Sequence, residues 1–181
     1  MRGRVGTRHA VSAQMSTRPS RDTAAVSAQI INKKQSKHIF MSINEIQNEI
    51  IEEFQDFDDW MDRYQLLIDM GSDQPELPVQ YKTEQNLIDG CQSRVWLQAD
   101  MVDGKVQFQA ESDALIVKGI VALLVRVLNN QTPQDILDAD LYFIEQIGLR
   151  EHLSPTRSNG LLAMLKQMKM YALVFSQKAG A

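Results

Sequence analysis

The sequence predicts an α+β domain in which helices pack on a small antiparallel β-sheet. Apolar residues recur at helical spacing on both sides of one short region where they alternate with polar residues instead. The dipeptide Asp103-Gly104 divides that region and favours the type I′ turn of a β-hairpin. One hairpin flanked by helices gives a layered arrangement of sheet against helices, which defines the class.

Two helices are predicted before the hairpin. Ser42 and Glu45 form a capping-box pattern at the start of the first. Its apolar residues then follow at helical spacing: Ile43, Ile46, Ile50 and Phe54. Asp58 is expected to cap a second helix that ends at Gly71. Residues 72–84 include two prolines and show no period, which predicts a loop.

The hairpin and three capping patterns organise the rest of the chain. Alternating apolar positions define its two strands: Val95, Leu97 and Ala99, then Val106, Phe108 and Ala110. Ser112 and Asp113 are expected to cap a helix over residues 114–128, which is apolar nearly all round and therefore predicted to be buried. Thr132 and Ser154 each precede a proline, a pattern typical of a helix start.

Residues 1–40 differ in composition from the remainder. They contain five Arg and three Lys against one Asp, eight Ser or Thr, and no aromatic residue before Phe40. Such a segment cannot bury enough apolar surface to fold by itself. We therefore expect a disordered basic N-terminal extension followed by one domain over residues 41–181. An over-extended start is the favoured interpretation, because Met41 directly precedes the capping-box pattern of Ser42 and Glu45. An organellar transit peptide, whose Arg- and Ser-rich composition the segment shares, and a natural disordered tail are the alternatives.

Charge and residue counts exclude several kinds of partner. The formal net charge of −4 hides an acidic remainder in which 22 Asp and Glu stand against 11 Lys and Arg. An acidic surface repels phosphates, so no nucleic acid is expected as a partner. The sequence shows no secretory or membrane-spanning run, so no membrane is expected either. With one cysteine and three histidines, the chain is expected to bind no metal. A single cysteine is typical of a reducing compartment, so a cytoplasmic location is expected unless residues 1–40 target an organelle.

Cys91 is the only cysteine of the chain, and its neighbours are polar residues and Gly90. It falls between a turn signal and a strand, which predicts a thiol on a loop. A single cysteine excludes an internal disulfide, a CxxC redox pair and a site that needs several thiolates. An inert thiol and a solitary nucleophile remain as the two interpretations.

Two neighbours of Cys91 bear on its reactivity. A thiol that carries sulfur attacks as the thiolate, and the carboxylate of Asp89 disfavours that anion. We therefore predict that the thiol is unreactive in the free protein and is activated only in a complex. Gly90 can adopt a positive φ and can let another backbone approach, so it is predicted to act as the hinge of the loop.

Three blocks of sequence resemble the SufE family of sulfur-acceptor proteins: GCQSRVW at 90–96, DALIVKG at 113–119 and HLSPTRSNGL at 152–161. The similarity runs from about Phe54 to the C-terminus. The resemblance implies a SufE-like α+β fold. It also implies that Cys91 takes persulfide sulfur from a SufS-like cysteine desulfurase, stimulates it and hands the sulfur to a SufB-like iron–sulfur scaffold. By that resemblance the chain is an accessory protein rather than an enzyme and has no cofactor, because pyridoxal phosphate belongs to the desulfurase.

The resemblance adds Arg157 as a candidate site residue, since the matching family position is an arginine near the surface that faces the desulfurase. It implies a contact to the partner or support of the thiolate. A solvated arginine or an ion pair with a nearby acid is the alternative. Lys118 is expected to be a surface lysine, His152 a loop or cap residue, and Trp96 a core residue.

Two other functions are weighed against the sulfur carrier. An iron–sulfur cluster scaffold needs about three or four protein ligands, and this chain offers one cysteine and one histidine outside residues 1–40. A one-cysteine peroxidase or other thiol enzyme needs a thiol of low pKa beside a cation. The immediate neighbourhood of Cys91 in this sequence shows an acid instead.

Overall fold

The computed structural model describes residues 41–179, so the expectation about residues 1–40 lies outside the described part of the chain. Seven α-helices and one hairpin follow in order along the described residues. They are α1 (Ile43–Gln55), α2 (Trp60–Asp73), β1 (Val95–Val102), β2 (Lys105–Ser112), α3 (Leu115–Leu128), α4 (Pro133–Asp138), α5 (Phe143–Gln146), α6 (Leu149–His152) and α7 (Pro155–Ala179). Short 3₁₀ turns at Val79–Tyr81 and Glu84–Asn86 punctuate the connection from α2 to β1. The predicted α+β class is confirmed.

The start of α1 confirms the capping box. The Ser42 hydroxyl accepts from the Glu45 N–H at 3.3 Å, and the Glu45 carboxylate accepts from the Ser42 N–H at 2.8 Å. For α2 the expected cap is wrong by one residue, because Asp59 rather than Asp58 caps the helix and accepts from the Met61 N–H at 2.9 Å. Either aspartate satisfies the sequence pattern, because both precede the apolar residues of the helix.

Helix α2 also continues past its expected end at Gly71, because this glycine serves a helix crossing rather than a helix stop. A Cβ on Gly71 would lie 2.8 Å from the main-chain nitrogen of Gly119 in α3. A Cβ on Gly119 would lie 2.1 Å from the Leu67 carbonyl oxygen. The two helices therefore touch backbone to backbone, which only glycine permits.

The β-hairpin forms as predicted. Its register places Leu97 opposite Ala110 and Ala99 opposite Phe108. At the turn, Asp103 and Gly104 have φ of 51° and 76°, the two positive values that a type I′ turn requires. The apolar face of the sheet is buried with α3 and with one side of α7. On α7 the buried residues recur every third or fourth position: Leu161, Met164, Met168 and Ala172.

The expected capping of α3 is wrong. Ala114 occupies the N-cap position with no side-chain cap, and the Asp113 carboxylate binds the backbone of the cysteine loop instead. The capping pattern at Thr132 is confirmed, since its hydroxyl accepts from the Asp135 N–H. Ser154 accepts from the Arg157 N–H at 3.4 Å. None of the helices in residues 41–179 combines the length and apolarity that crossing a bilayer requires.

Candidate functional site

The cysteine loop, residues 89–94, projects from the start of β1. Its base is closed by a 2.8 Å hydrogen bond from the Ile88 N–H to the Val95 carbonyl. Leu87 forms an isolated bridge with Trp96 immediately outside it. Cys91 lies on this loop, outside any helix or strand, as the sequence predicted.

Gly90 has a φ of +86°, the left-handed region that L side chains rarely adopt. A side chain at this position would have room, because the nearest atom to an added Cβ would be the Ala163 Cβ at 3.9 Å. Glycine is therefore required by the backbone torsion angle and not by a lack of space. Gly90 thus turns the chain so that Cys91 faces α7, and its role as a hinge stays a prediction.

The Cys91 thiol is half-buried and packs against the edge of the core. Its Sγ lies 3.7 Å from the Gly160 carbonyl oxygen of α7, to which the thiol donates a hydrogen bond. Burial raises the pKa of the Cys91 thiol. The predicted cause was the carboxylate of Asp89, but Asp89 is exposed, and removal of the thiol from water accounts for the shift.

A cleft of about 260 Å³ opens beside the thiol, between the cysteine loop, α3 and the first turns of α7. Its lining mixes polar and apolar residues. The lining residues are Cys91, Gln92, Ser93, Val117, Ile120, Thr156, Arg157, Gly160 and Met164. The cleft therefore gives Cys91 an open side on which a reacting group can approach.

Arg157 lies on the rim of this cleft, in the first turn of α7, and is exposed. Within residues 41–179, no carboxylate forms an ion pair with its guanidinium. The structure thus brings Arg157 and Cys91 to the same cleft. A cation near a helix N-terminus is unfavourable in the helix dipole, so stabilisation of α7 does not explain an arginine at this position.

The far end of the cysteine loop is fixed by Asp113, a residue that sequence reasoning assigned to helix capping. The Asp113 carboxylate accepts from the Arg94 N–H at 3.0 Å, and the Asp113 N–H donates to the Arg94 carbonyl at 3.3 Å. The Arg94 guanidinium lies 5.1 Å from the centre of the Trp96 ring. Asp113 therefore restrains the loop from the start of α3.

The remaining sequence candidates lie away from the thiol chemistry. Trp96 is 9% exposed and belongs to the core, as expected. His152 ends α6, stacks on Trp60 at 3.9 Å between ring centres and places Nδ1 3.0 Å from the Gly148 carbonyl, in keeping with a cap role. Within residues 41–179 no group of three or more His, Cys, Asp or Glu side chains is arranged to hold a metal.

Sequence reasoning did not single out Gly160 or the loop contact of Asp113. A signal for Gly160 exists, because a glycine inside a helical pattern costs about 1 kcal/mol relative to alanine and so points to a close contact. No comparable signal exists for Asp113. Its partner is a main-chain N–H on another segment, and a main-chain group carries no side-chain identity in the sequence.

Comparison with known proteins identifies the family. The SufE family, described as an Fe-S metabolism associated domain, matches residues 48–172. An uncharacterized SufE-like protein of Rhizobium meliloti (strain 1021) is 38% identical over 130 residues, which cover 69% of this chain and 93% of that protein. An uncharacterized SufE-like protein of Synechocystis sp. is 40% identical over 126 residues, covering 70% of this chain and 79% of that protein.

A solved structure shows the same fold. The solution structure of a hypothetical protein from Thermus thermophilus matches with a TM-score of 0.62 at 25% identity, over 73% of this chain and 96% of that one. The match to most of the chain and the identity to the curated relatives agree with the three sequence blocks around Cys91, Asp113 and Arg157. The chain belongs to the SufE family, whose domain is associated with iron–sulfur metabolism.

Proposed function

We propose that this protein is a sulfur acceptor that takes persulfide sulfur from a cysteine desulfurase onto Cys91. The Cys91 thiolate attacks the terminal sulfur of the persulfide on the desulfurase. One S–S bond forms at Cys91, the S–S bond on the donor breaks, and the donor cysteine leaves as its thiolate. The exchange needs no oxidant or reductant, because the sulfur being moved keeps its oxidation state.

The observation that carries this proposal is the position of the sole cysteine. Cys91 stands on a loop and faces a cleft with an arginine on its rim, and the chain belongs to a family associated with iron–sulfur metabolism. A cysteine that served only as core packing would need neither the open cleft nor the special torsion at Gly90. In this proposal Arg157, which lines the same cleft, attracts the anionic persulfide or the partner.

The loaded protein then delivers its sulfur for iron–sulfur cluster assembly, to a SufB-like scaffold. Pyridoxal phosphate works in the SufS-like desulfurase, so this chain needs no cofactor for its part. Its acceptance of sulfur withdraws the persulfide from the donor and so stimulates turnover of the desulfurase. A cytoplasmic location suits a thiol that has to remain reduced.

The raised pKa of Cys91 weighs against the rival thiol enzyme. A peroxidase-type cysteine is activated by a low pKa, whereas burial raises the pKa of this thiol. A protein that receives sulfur only when docked gains from a protonated resting thiol, because the thiolate is the form that oxidants attack. The carrier therefore fits the environment of Cys91 better than a free-standing enzyme does.

Intact mass spectrometry tests the proposal directly. The protein is incubated with cysteine desulfurase and cysteine, and we expect its mass to rise by one or more sulfur atoms, reversibly on reduction. Cys91→Ser is the matched control, since the hydroxyl cannot hold a stable persulfide. No added sulfur on the wild-type protein, or full stimulation of the desulfurase by Cys91→Ser, would show that Cys91 is not a carrier.

A further inference from the structure

We propose that Gly160 is a positioning residue for Cys91: its bare backbone is the seat that holds the thiol in its protonated resting state. The inference rests on the proposed function, since it assigns a role in controlling when Cys91 accepts sulfur. It concerns a residue of α7 that lies 69 positions from the cysteine in sequence. We call the contact between Cys91 and Gly160 the thiol seat.

The geometry of the thiol seat is close. Gly160 is buried, and its carbonyl oxygen lies 3.7 Å from the Cys91 Sγ. A Cβ built on Gly160 would lie 3.4 Å from Sγ and 4.0 Å from both Cα and Cβ of Cys91. All three nearest atoms to that position thus belong to Cys91, so the cysteine lies directly against the helix backbone.

Backbone conformation does not explain a glycine at this position. Gly160 lies in the interior of α7 and is absent from the glycines of positive φ in residues 41–179. A helical glycine costs stability relative to alanine because it orders a more flexible backbone. The close approach of Cys91 is the feature of this position that a side chain larger than a methyl group would disturb.

The seat also favours one protonation state. A carbonyl oxygen only accepts hydrogen bonds, so it stabilises the S–H form and repels the lone pairs of a thiolate. Burial acts in the same direction on the pKa of the thiol. Formation of the reactive thiolate therefore favours movement of the sulfur away from Gly160, towards the polar side chains of Ser93, Thr156 and Arg157 that line the same cleft.

Two substitutions of Gly160 separate the seat from helix stability. Gly160→Ala adds a Cβ in ordinary van der Waals contact with Sγ and removes the helical glycine, so the thiol stays seated. Gly160→Leu removes the same glycine, and the carbon atoms beyond its Cβ compete with Sγ for the space beside the helix. We therefore expect only the leucine variant to displace the thiol.

The experiment measures alkylation of Cys91 by a soluble reagent across alkaline pH, in full-length protein without any partner. We expect Gly160→Leu to react about tenfold faster than wild type, and its pH midpoint to move down towards that of the unfolded chain. Gly160→Ala should keep the wild-type rate and midpoint. Circular dichroism melting identifies any variant that unfolds. Gly160→Val, with a smaller side chain that still reaches Sγ, then replaces the leucine.

Wild-type rate and midpoint in a folded Gly160→Leu or Gly160→Val variant would overturn the thiol seat. A second readout is the acceleration of alkylation when desulfurase is added, which should be smaller for Gly160→Leu than for Gly160→Ala. Failure of the proposed function has a different signature, because no variant and no wild-type protein would then gain sulfur from the desulfurase. The alkylation comparison without partner still decides the role of Gly160 in that case.

Discussion

Asp113 and Arg94 exchange two hydrogen bonds, one from the Arg94 N–H to the Asp113 carboxylate at 3.0 Å and one from the Asp113 N–H to the Arg94 carbonyl at 3.3 Å. The pair fastens the end of the cysteine loop to the residue before the N-cap of α3. Gly160 contacts the same loop at Cys91. Local opening of the loop therefore has to break contacts at both places.

Removal of the Asp113 carboxylate should loosen the cysteine loop. A hydrogen bond to a charged group contributes about 1.5–3 kcal/mol, reduced here because Asp113 is exposed, so we expect Asp113→Ala to speed alkylation of Cys91 by about three- to tenfold. Quenched alkylation followed by intact mass measures the rate. Asp89→Ala is the control on the same loop and should leave the rate unchanged. Equal rates for wild type and Asp113→Ala would show that Asp113 does not restrain the loop.

The pH dependence of Cys91 should follow its burial. Because burial raises the pKa of the thiol, the alkylation midpoint of the folded protein should lie above that of the chain unfolded in urea, where a thiol ionises at about pH 8.5. Asp89→Asn should not move this midpoint. A midpoint that falls substantially on Asp89→Asn would restore the neighbouring carboxylate as the cause.

The same shift predicts a change of stability at alkaline pH. The folded state prefers the protonated thiol, so its stabilising effect is complete below the pKa of the unfolded chain and is lost as pH rises through the raised folded pKa. The free energy of unfolding of wild type should therefore decline relative to Cys91→Ser across that interval. Urea titrations at several pH values measure it, and parallel curves for the two proteins would contradict the shift.

A side chain at Gly90 should hinder the loop rather than the fold. The φ of +86° is strained for any L residue, and a β-branched side chain makes it worse, at a cost of about 1–3 kcal/mol for that conformer. We expect Gly90→Val to slow sulfur transfer more than it weakens binding to the desulfurase. Gly104→Val, at the comparable φ of 76° in the hairpin turn, controls for strain away from the cleft. Normal transfer by Gly90→Val would remove Gly90 from the mechanism.

Close contact between α2 and α3 predicts that Gly119 tolerates no side chain. A Cβ there would lie 2.1 Å from the Leu67 carbonyl oxygen, which forces the helices apart. Gly119→Ala should lower the free energy of unfolding by about 1–3 kcal/mol or more, although alanine favours the helix. Gly160→Ala is the matched control and should be neutral or stabilising. Thermal melting of both variants gives the comparison, and an unchanged melting temperature for Gly119→Ala would contradict the contact.

Much of the secondary structure could be predicted from the sequence because its signals are local. The capping box at Ser42, the positive φ pair at Asp103-Gly104 and the cap at Thr132 each depend on residues within a few positions of one another. Cys91 could be placed on a loop for the same reason. The family could be recognised because its three blocks are contiguous in sequence.

Only the tertiary structure decided how those segments use their polar groups and glycines. The sequence around Asp113 is typical of a helix cap, yet its carboxylate binds the Arg94 backbone. The sequence around Gly71 is typical of a helix end, yet the glycine lies where two helices cross. Burial rather than Asp89 raises the pKa of Cys91, and Gly160 forms the surface on which the thiol rests. Local sequence determines torsions and apolar faces, whereas desolvation and backbone contacts arise only when distant segments pack together.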